Sequence, residues 1–321
     1  MIIFAKAREG VEVTIIFDDF GNIKRFSGET IDRLREVGVE VFIFNPVHEY
    51  VNRLHFNYRD HRKIACIDGD VAYTGGVNIA DEYANIIERF GYWKDSGVCL
   101  EGEGAWGLTA SFIRMCVNLG GVMHNEHDYY RPHTPVKSEG FCQPFTDGPQ
   151  NNPDNPAEDV FLQMISGARR FLYITTPYFI PDESLMRALC IAGDGGVDVR
   201  LMLPGKPDHW YADCVAESYF GELIKHGVKV YRYTPGFLHG KSIMVDREAA
   251  FVGSANMDYR SFELDYECGV MVYSAPMIES LLEDMDMIVD HSRLVTKEEW
   301  AKRSVLRRVF EPLLRLFAIW M

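Results

Sequence analysis

Two stretches, read together, decide the fold: Asp60-His61-Arg62-Lys63-Ile64-Ala65-Cys66-Ile67-Asp68-Gly69-Asp70-Val71-Ala72-Tyr73-Thr74-Gly75-Gly76-Val77-Asn78 and Leu238-His239-Gly240-Lys241-Ser242-Ile243-Met244-Val245-Asp246-Arg247-Glu248-Ala249-Ala250-Phe251-Val252-Gly253-Ser254-Ala255-Asn256. Each runs His-x-Lys-x4-Asp. Seven residues past the Asp, each reaches Gly-Gly-x-Asn or Gly-Ser-x-Asn. On an extended strand, residues i and i+2 share a face, so His61 stands beside Lys63 and His239 beside Lys241. Asp68 and Asp246 fall where the chain must turn, and turn chemistry favours Asp there. The returning strand then brings glycine and Asn alongside the His and Lys.

The similarity extends outward from both stretches in the same order. Gly10 to Phe17 (GVEVTIIF) matches Gly196 to Leu203 (GVDVRLML), and Gly38 to Pro46 (GVEVFIFNP) matches Gly227 to Pro235 (GVKVYRYTP). All four are β-branched and apolar, as buried strands are, and helix-like stretches separate them. Two copies of one α/β unit, facing each other, is the economical reading. The copies occupy 1–130 and 136–300, followed by a tail at 301–321. The connection between them holds six of the fourteen prolines, from Pro132 to Pro156, and has room for one short strand. Asn155-Pro156 with Glu158 and Asp159 reads as a capped helix start, and Phe171 to Ile180 as a strand. In the second copy that helix, that strand and the helix Glu183 to Ala192 precede Gly196. Only nine residues precede Gly10, so the first lobe is expected to lack an edge strand, through truncation or trimming.

Composition narrows the partners. The 321 residues are 47% hydrophobic and 25% charged, ordinary for a globular chain with ample core. Lys plus Arg is 33 against 47 Asp plus Glu, a net charge of -14, which counts against nucleic acid as a partner. Seven cysteines at irregular spacing suit free thiols in a reducing compartment. No uninterrupted apolar stretch is long enough to span a membrane. The tail carries Lys302, Arg303, Arg307, Arg308 and Arg315 against Glu311, with Leu306, Phe310, Leu313, Leu314, Phe317 and Trp320 at roughly helical spacing. It suits either a helix lying in a membrane interface or a terminal helix packed on the domain, with Pro312 interrupting it.

Two His, two Lys and two Asn around one point suit a phosphodiester. One imidazole attacks phosphorus and the other protonates the leaving oxygen. The lysines, with Asn78 and Asn256, hold the non-bridging oxygens, and Gly75, Gly76, Gly253 and Ser254 admit the phosphate. The motif has no set of acids at metal-ligand spacing, so neither a metal nor a cofactor is expected.

The duplicated motif resembles the phospholipase D superfamily, and the finer text is similar to bacterial cardiolipin synthases. The stretches that carry this are NYRDHRKIACIDGDVAYTGGVNIADEY, FGYWKDSGV, TDGPQNNPDNPAEDVFLQMI, TPYFIPDESL, LPGKPDH, YFGELIKHGVKVYRYTPGFLHGKS and GSANMDYRSFELDYE, spread over almost the whole chain. The resemblance implies two phospholipase D-like α/β lobes, each a mixed sheet flanked by helices, with the active site at the seam. It implies transfer of a phosphatidyl group between two phosphatidylglycerol molecules through a phosphohistidine on His61, with His239 as acid and then base, on the cytoplasmic face of the inner membrane. It also implies an acid that orients a catalytic His, here Glu267, with Asp95 as a looser counterpart. Asp68 and Asp246 complete the motifs. Such proteins usually begin with two membrane-spanning segments and a complete first lobe, and usually carry Ala where Gly240 stands and Asn where Asp265 stands. Asp265 would add a negative charge near the site. A hydrolase using water as acceptor, a nuclease and an inactive fragment are the competing readings. Trp210, Tyr211, Phe237 and Tyr178 are candidates for an aromatic rim.

Overall fold

The computed structural model describes residues 2–22, 27–47, 57–124, 129–137, 140–150, 155–303 and 314–316. The second half forms one continuous mixed sheet in the order Ser292–Leu294, Lys229–Tyr233, Asp198–Pro204, Phe171–Thr175, Ser242–Val245, Ala249–Gly253, Asp265–Tyr273. The three strands after Ser292–Leu294 follow the pattern of crossover units: Lys229–Tyr233, Asp198–Pro204 and Phe171–Thr175 run parallel, joined through the helices Glu183–Asp194 and Trp210–Lys225. The remainder is antiparallel. The connecting segment supplies Phe141–Asp147, paired antiparallel along Asp265–Tyr273 with Pro144 opposite Val270.

Local chemistry explains the boundaries. Gly10, Gly38, Gly196 and Gly227 all have φ between 84° and 91°. They close the preceding helix in the left-handed conformation that glycine adopts without penalty, so the paired strand starts two or more residues later, at Thr14, Glu40, Asp198 and Lys229. The expected strand Phe171 to Ile180 is broken. Pro177 offers no N–H and biases Thr176, and Phe179–Ile180 leaves the sheet to pair with Met257–Asp258. The helix Pro156–Gly167 starts as expected, but Asn155 does not cap it. Asn155 sits at φ 53° and bonds Glu263, while the N–H of Ala157 is accepted by Asp147 at 2.8 Å.

The first half repeats this plan in two pieces. Thr14–Asp18 and Glu40–Phe44 pair in parallel, and Ile64–Ile67, Val71–Gly75 and Gly97–Glu101 form a separate antiparallel sheet. Among the described residues no strand stands in the place of Phe171–Thr175, and by register its counterpart would fall between Thr14–Asp18 and Ile64–Ile67, a central position rather than the edge expected. The reason is that Phe171–Thr175 pairs Asp198–Pro204 on one side and Ser242–Val245 on the other. The cores divide accordingly. Ile31, Leu34, Val39 and Val41 make a small cluster of their own, whereas Ala72, Leu100 and Leu108 join Met244, Val252 and Val270 of the second half.

No helix among the described residues is long and apolar enough to cross a membrane. Most of the tail lies outside the described residues. Of its described positions, Leu314 packs against the second-half core and Arg315 lies 3.8 Å above the Tyr219 ring.

Candidate active site

Both His-x-Lys segments follow a short strand that crosses the seam. Arg59–Asp60 pairs in parallel with Asp265–Tyr266, and the His61 N–H then donates to the Tyr266 carbonyl at 2.9 Å. Gly236–Leu238 pairs in parallel with Tyr92–Lys94, and the His239 N–H donates to the Lys94 carbonyl at 2.6 Å. The residue after each partner strand is an acid. His61 Nδ1 lies 2.8 Å from Glu267 Oε1, and His239 Nδ1 lies 2.7 Å from Asp95 Oδ2. Each half thus orients the histidine of the other. The sheet register makes the acids equivalent, since Gly75 pairs Gly97 as Gly253 pairs Gly269, and Asp95 and Glu267 each stand two residues before those glycines. With Nδ1 held by a carboxylate, Nε2 is the ring nitrogen left for chemistry.

The lysines close the set. Lys241 is 1% exposed. Its Nζ donates to the His239 carbonyl at 2.7 Å and lies 3.0 Å from both ring nitrogens. Lys63 donates to the His61 carbonyl in the same way. Burial pushes the His239 imidazole down to about 4, with the Lys241 charge acting in the same direction against Asp95. Burial also pushes Lys241 down to about 7. His61 and Lys63 are lowered too, chiefly by burial and against the charge of Glu267. Burial works to raise Glu267 and Asp95, but the charges of His61 and His239 respectively outweigh it and hold both acids below their usual range. Lys241 acts on His61 and Lys63 on His239, so the two halves form one electrostatic unit.

The turn residues sit apart from this unit. Asp68 and Asp246 both have φ 54° and open two-residue turns, with Gly69 and Arg247 also at positive φ. Asp246 accepts from the N–H groups of Arg169, Arg170 and Phe171 at 2.8–2.9 Å, so it ties the turn to the central strand. Asp68 is exposed, and Asp70 takes the tying role by accepting from His133 and Thr134. Neither motif Asp bonds the His or Lys of its own motif.

The glycines and Ser254 also differ from the expectation that they admit a phosphate. Ser254 is fully buried and donates its hydroxyl to Glu267 Oε2. Gly76 stands at the equivalent position, where a Cβ would lie 2.3 Å from Asp95 Oδ1, so only glycine leaves room for that carboxylate. Gly75 and Gly253 are pressed against the neighbouring strand at Ser96 and Cys268. Asn78 donates to the Tyr83 hydroxyl at 2.7 Å. The Asn256 side-chain oxygen is buried without a partner.

Around His239 the wall is aromatic: Tyr83, Trp93 and Phe237 have ring centroids within 5.2–5.8 Å of it. Phe237 is buried in that wall, whereas Trp210 and Tyr211 are exposed at the start of the helix Trp210–Lys225. Sequence reasoning did not find Tyr83, in a loop, or Trp93, on the three-residue strand Tyr92–Lys94, since neither carries a periodic signal.

The fold also assembles a cluster that the sequence spacing did not reveal. His61, Asp265 and Glu267 offer ligand atoms within 4.8 Å of one another. Both Glu267 oxygens are already engaged by His61 and Ser254, and the Lys63 charge bears on both acids, which opposes a cation there. Burial pushes the Asp265 carboxyl well above the ordinary range, against the charge of Arg260, whose Nε lies 3.4 Å from Asp265 Oδ2.

Comparison with known proteins agrees with this architecture. The family model described as "Cardiolipin synthase, PLD-like domain" matches residues 2–86 and 161–289. The chain is 38% identical over 319 residues to a cardiolipin synthase of Halalkalibacterium halodurans, covering 99% of this chain and 63% of that one. It is 38% identical over 319 residues to the major cardiolipin synthase ClsA of Bacillus subtilis, covering 98% and 65%. It thus spans a little under two-thirds of the length of these relatives. The fold is similar to that of a phosphatidylserine synthase from Haemophilus influenzae, with a TM-score of 0.65 at 15% identity over 99% of this chain and 90% of that one. Given a model matched across both halves, and the two crossed histidine–carboxylate pairs at their seam, this chain belongs to the cardiolipin synthase family of phospholipase D-like proteins.

Proposed function

We propose that the chain carries a phosphatidyltransferase site that makes cardiolipin and glycerol from two phosphatidylglycerol molecules. The crossed pairs, His61 with Glu267 and His239 with Asp95, are the observation that carries this reading. In the first step, His61 Nε2 attacks phosphorus. A P–N bond forms, the P–O bond to the glycerol headgroup breaks, and the departing oxygen takes a proton from His239. In the second step, His239 accepts the proton of a headgroup hydroxyl on another phosphatidylglycerol. That oxygen attacks phosphorus, the P–N bond breaks, and His61 is regenerated.

The ring exposures support this division of labour. The His61 side chain keeps 27% of its surface open, as a nucleophile needs, and His239 keeps 7%. Lys63, Lys241, Asn78 and Asn256 are the groups available to non-bridging oxygens as charge develops there. Every step uses side chains of the chain itself. The substrate is a lipid, so the site works at a membrane surface. The basic tail is the proposed contact, on the cytoplasmic face, and the net charge of -14 argues against a nucleic-acid substrate. The units 1–130 and 136–300 are the proposed lobes.

Purified protein is incubated with labelled phosphatidylglycerol in mixed micelles, beside His61→Ala and His239→Ala, and products are separated by thin-layer chromatography. Cardiolipin from the parent and from neither variant is the expected result. Phosphatidic acid alone would replace transfer by hydrolysis, and no product from folded parent would remove the activity.

A further inference from the structure

Behind the aromatic wall of His239 lies a second cavity, of about 260 Å³ including its open mouth, with interior room for one water-sized group. Phe237 is common to both. It lines the cavity, and its ring centroid is 5.8 Å from that of His239. The remaining polar lining is Tyr178, Asp208, His209, Asp213 and Arg232.

Most of these groups satisfy one another. Tyr178 donates its hydroxyl to Asp208 Oδ2 at 2.7 Å, His209 Nδ1 lies 3.0 Å from the same oxygen, and Arg232 Nη2 donates to Asp213 Oδ1 at 2.6 Å. Two atoms are left over. Asp208 Oδ1 and Arg232 Nη1 are buried, and neither has a hydrogen-bond partner. Arg232 is 7% exposed, so solvent does not serve it. A buried, unpaired acceptor and a buried, unpaired donor on the wall of one cavity are costly singly and complementary together. A hydroxyl group answers both, since it donates one hydrogen bond and accepts another, and it competes there with water.

We infer that this cavity binds a hydroxyl of a polyol, donated to Asp208 Oδ1 and accepting from Arg232 Nη1, so that Asp208 and Arg232 select a glycerol group over a simple alcohol at the neighbouring phosphorus. The inference rests on the proposed transfer reaction for its consequence, but its hydrogen-bond chemistry stands on the cavity alone. The glycerol belongs either to the departing headgroup or to the arriving alcohol, and the test separates them.

In the acceptor arm, labelled glycerol and labelled propan-1-ol compete for transfer from phosphatidylglycerol in one tube. In the donor arm, phosphatidylglycerol and phosphatidylpropanol compete as donors. Asp208→Asn keeps an oxygen for Tyr178 but turns a donor toward Arg232. Arg232→Lys keeps the ion pair with Asp213 and removes the second N–H. Both variants are expected to lower the glycerol-to-propanol ratio about tenfold in one arm, and that arm identifies the source of the hydroxyl. An unchanged ratio in both arms would mean a structural water only and overturn the inference. If the parent transfers to nothing, the transfer reading fails, and saturation-transfer NMR with free glycerol and propan-1-ol decides the cavity alone. Saturation of glycerol that Asp208→Asn abolishes upholds it, and none in the parent rejects it.

Discussion

At the scale of single residues, the cations of the second motif are poised to take up charge. His239 near 4 and Lys241 near 7 hold little positive charge at pH 8, because both are buried, and the charge of Lys241 further opposes protonation of His239. An anion at the phosphate position reverses that balance and draws a proton onto Lys241, whose ordinary value lies above 10. Sulfate, which does not itself titrate, is therefore expected to bind at pH 8 with net proton uptake. Calorimetry in two buffers of different ionisation heat reads this directly. Below pH 6, where Lys241 is already charged, the uptake by that residue disappears. Equal heats in both buffers at pH 8 would show that Lys241 is charged before the anion arrives. His61, Lys63, His239 and Lys241 were named from the repeated motif, although 61–63 and 239–241 are links between strands and not the strand face that the spacing suggested. The jobs of Ser254 and Gly76 were not legible in the sequence. Both depend on which carboxylate stands opposite, and that is set by strand register rather than by spacing along the chain.

Among elements, the two halves are unequal. Each of Thr14–Asp18 and Ile64–Ile67 has a single paired neighbour among the described strands, whereas Asp198–Pro204 and Ser242–Val245 each have two. A two-stranded parallel pair over a core of four buried residues is marginal by itself. Amides of Thr14–Asp18 and Ile64–Ile67 are expected to exchange by at least a factor of ten faster than those of the equivalent second-half strands, read by hydrogen–deuterium exchange with mass spectrometry. Equal protection across both pairs would mean that the gap in the sheet carries no loss of stability. The sequence raised the expectation of an element without a counterpart, because the repeat could be counted. It could not disclose that the element is central, because strand order in space differs from strand order along the chain. Asn155 was misread for a related reason. Its type and its neighbour Pro156 suit a cap, but Asp147 from the preceding strand already occupies the helix end.

For the molecule as a whole, the half with the smaller core of its own supplies part of the chemistry. Asp95 belongs to the first half and orients the histidine of the second, so loosening the first half disturbs His239 before the larger core melts. Activity is expected to be lost several degrees below the main calorimetric transition, with far-UV circular dichroism following the latter. Coincident midpoints would mean that the seam welds both halves into one cooperative unit. Such dependence was beyond the sequence: Tyr83 and Trp93 of the first half reach His239 of the second only through the docking of two surfaces. The crossed carboxylates have a further consequence, for descent rather than for chemistry. After the unit was duplicated, neither copy was free to drift alone, because a change at Asp95 is felt by His239 and a change at Glu267 by His61. In a lineage of such chains, substitutions at the two acids should track the surroundings of the opposite copy's histidine, so the history of each half is written in the other.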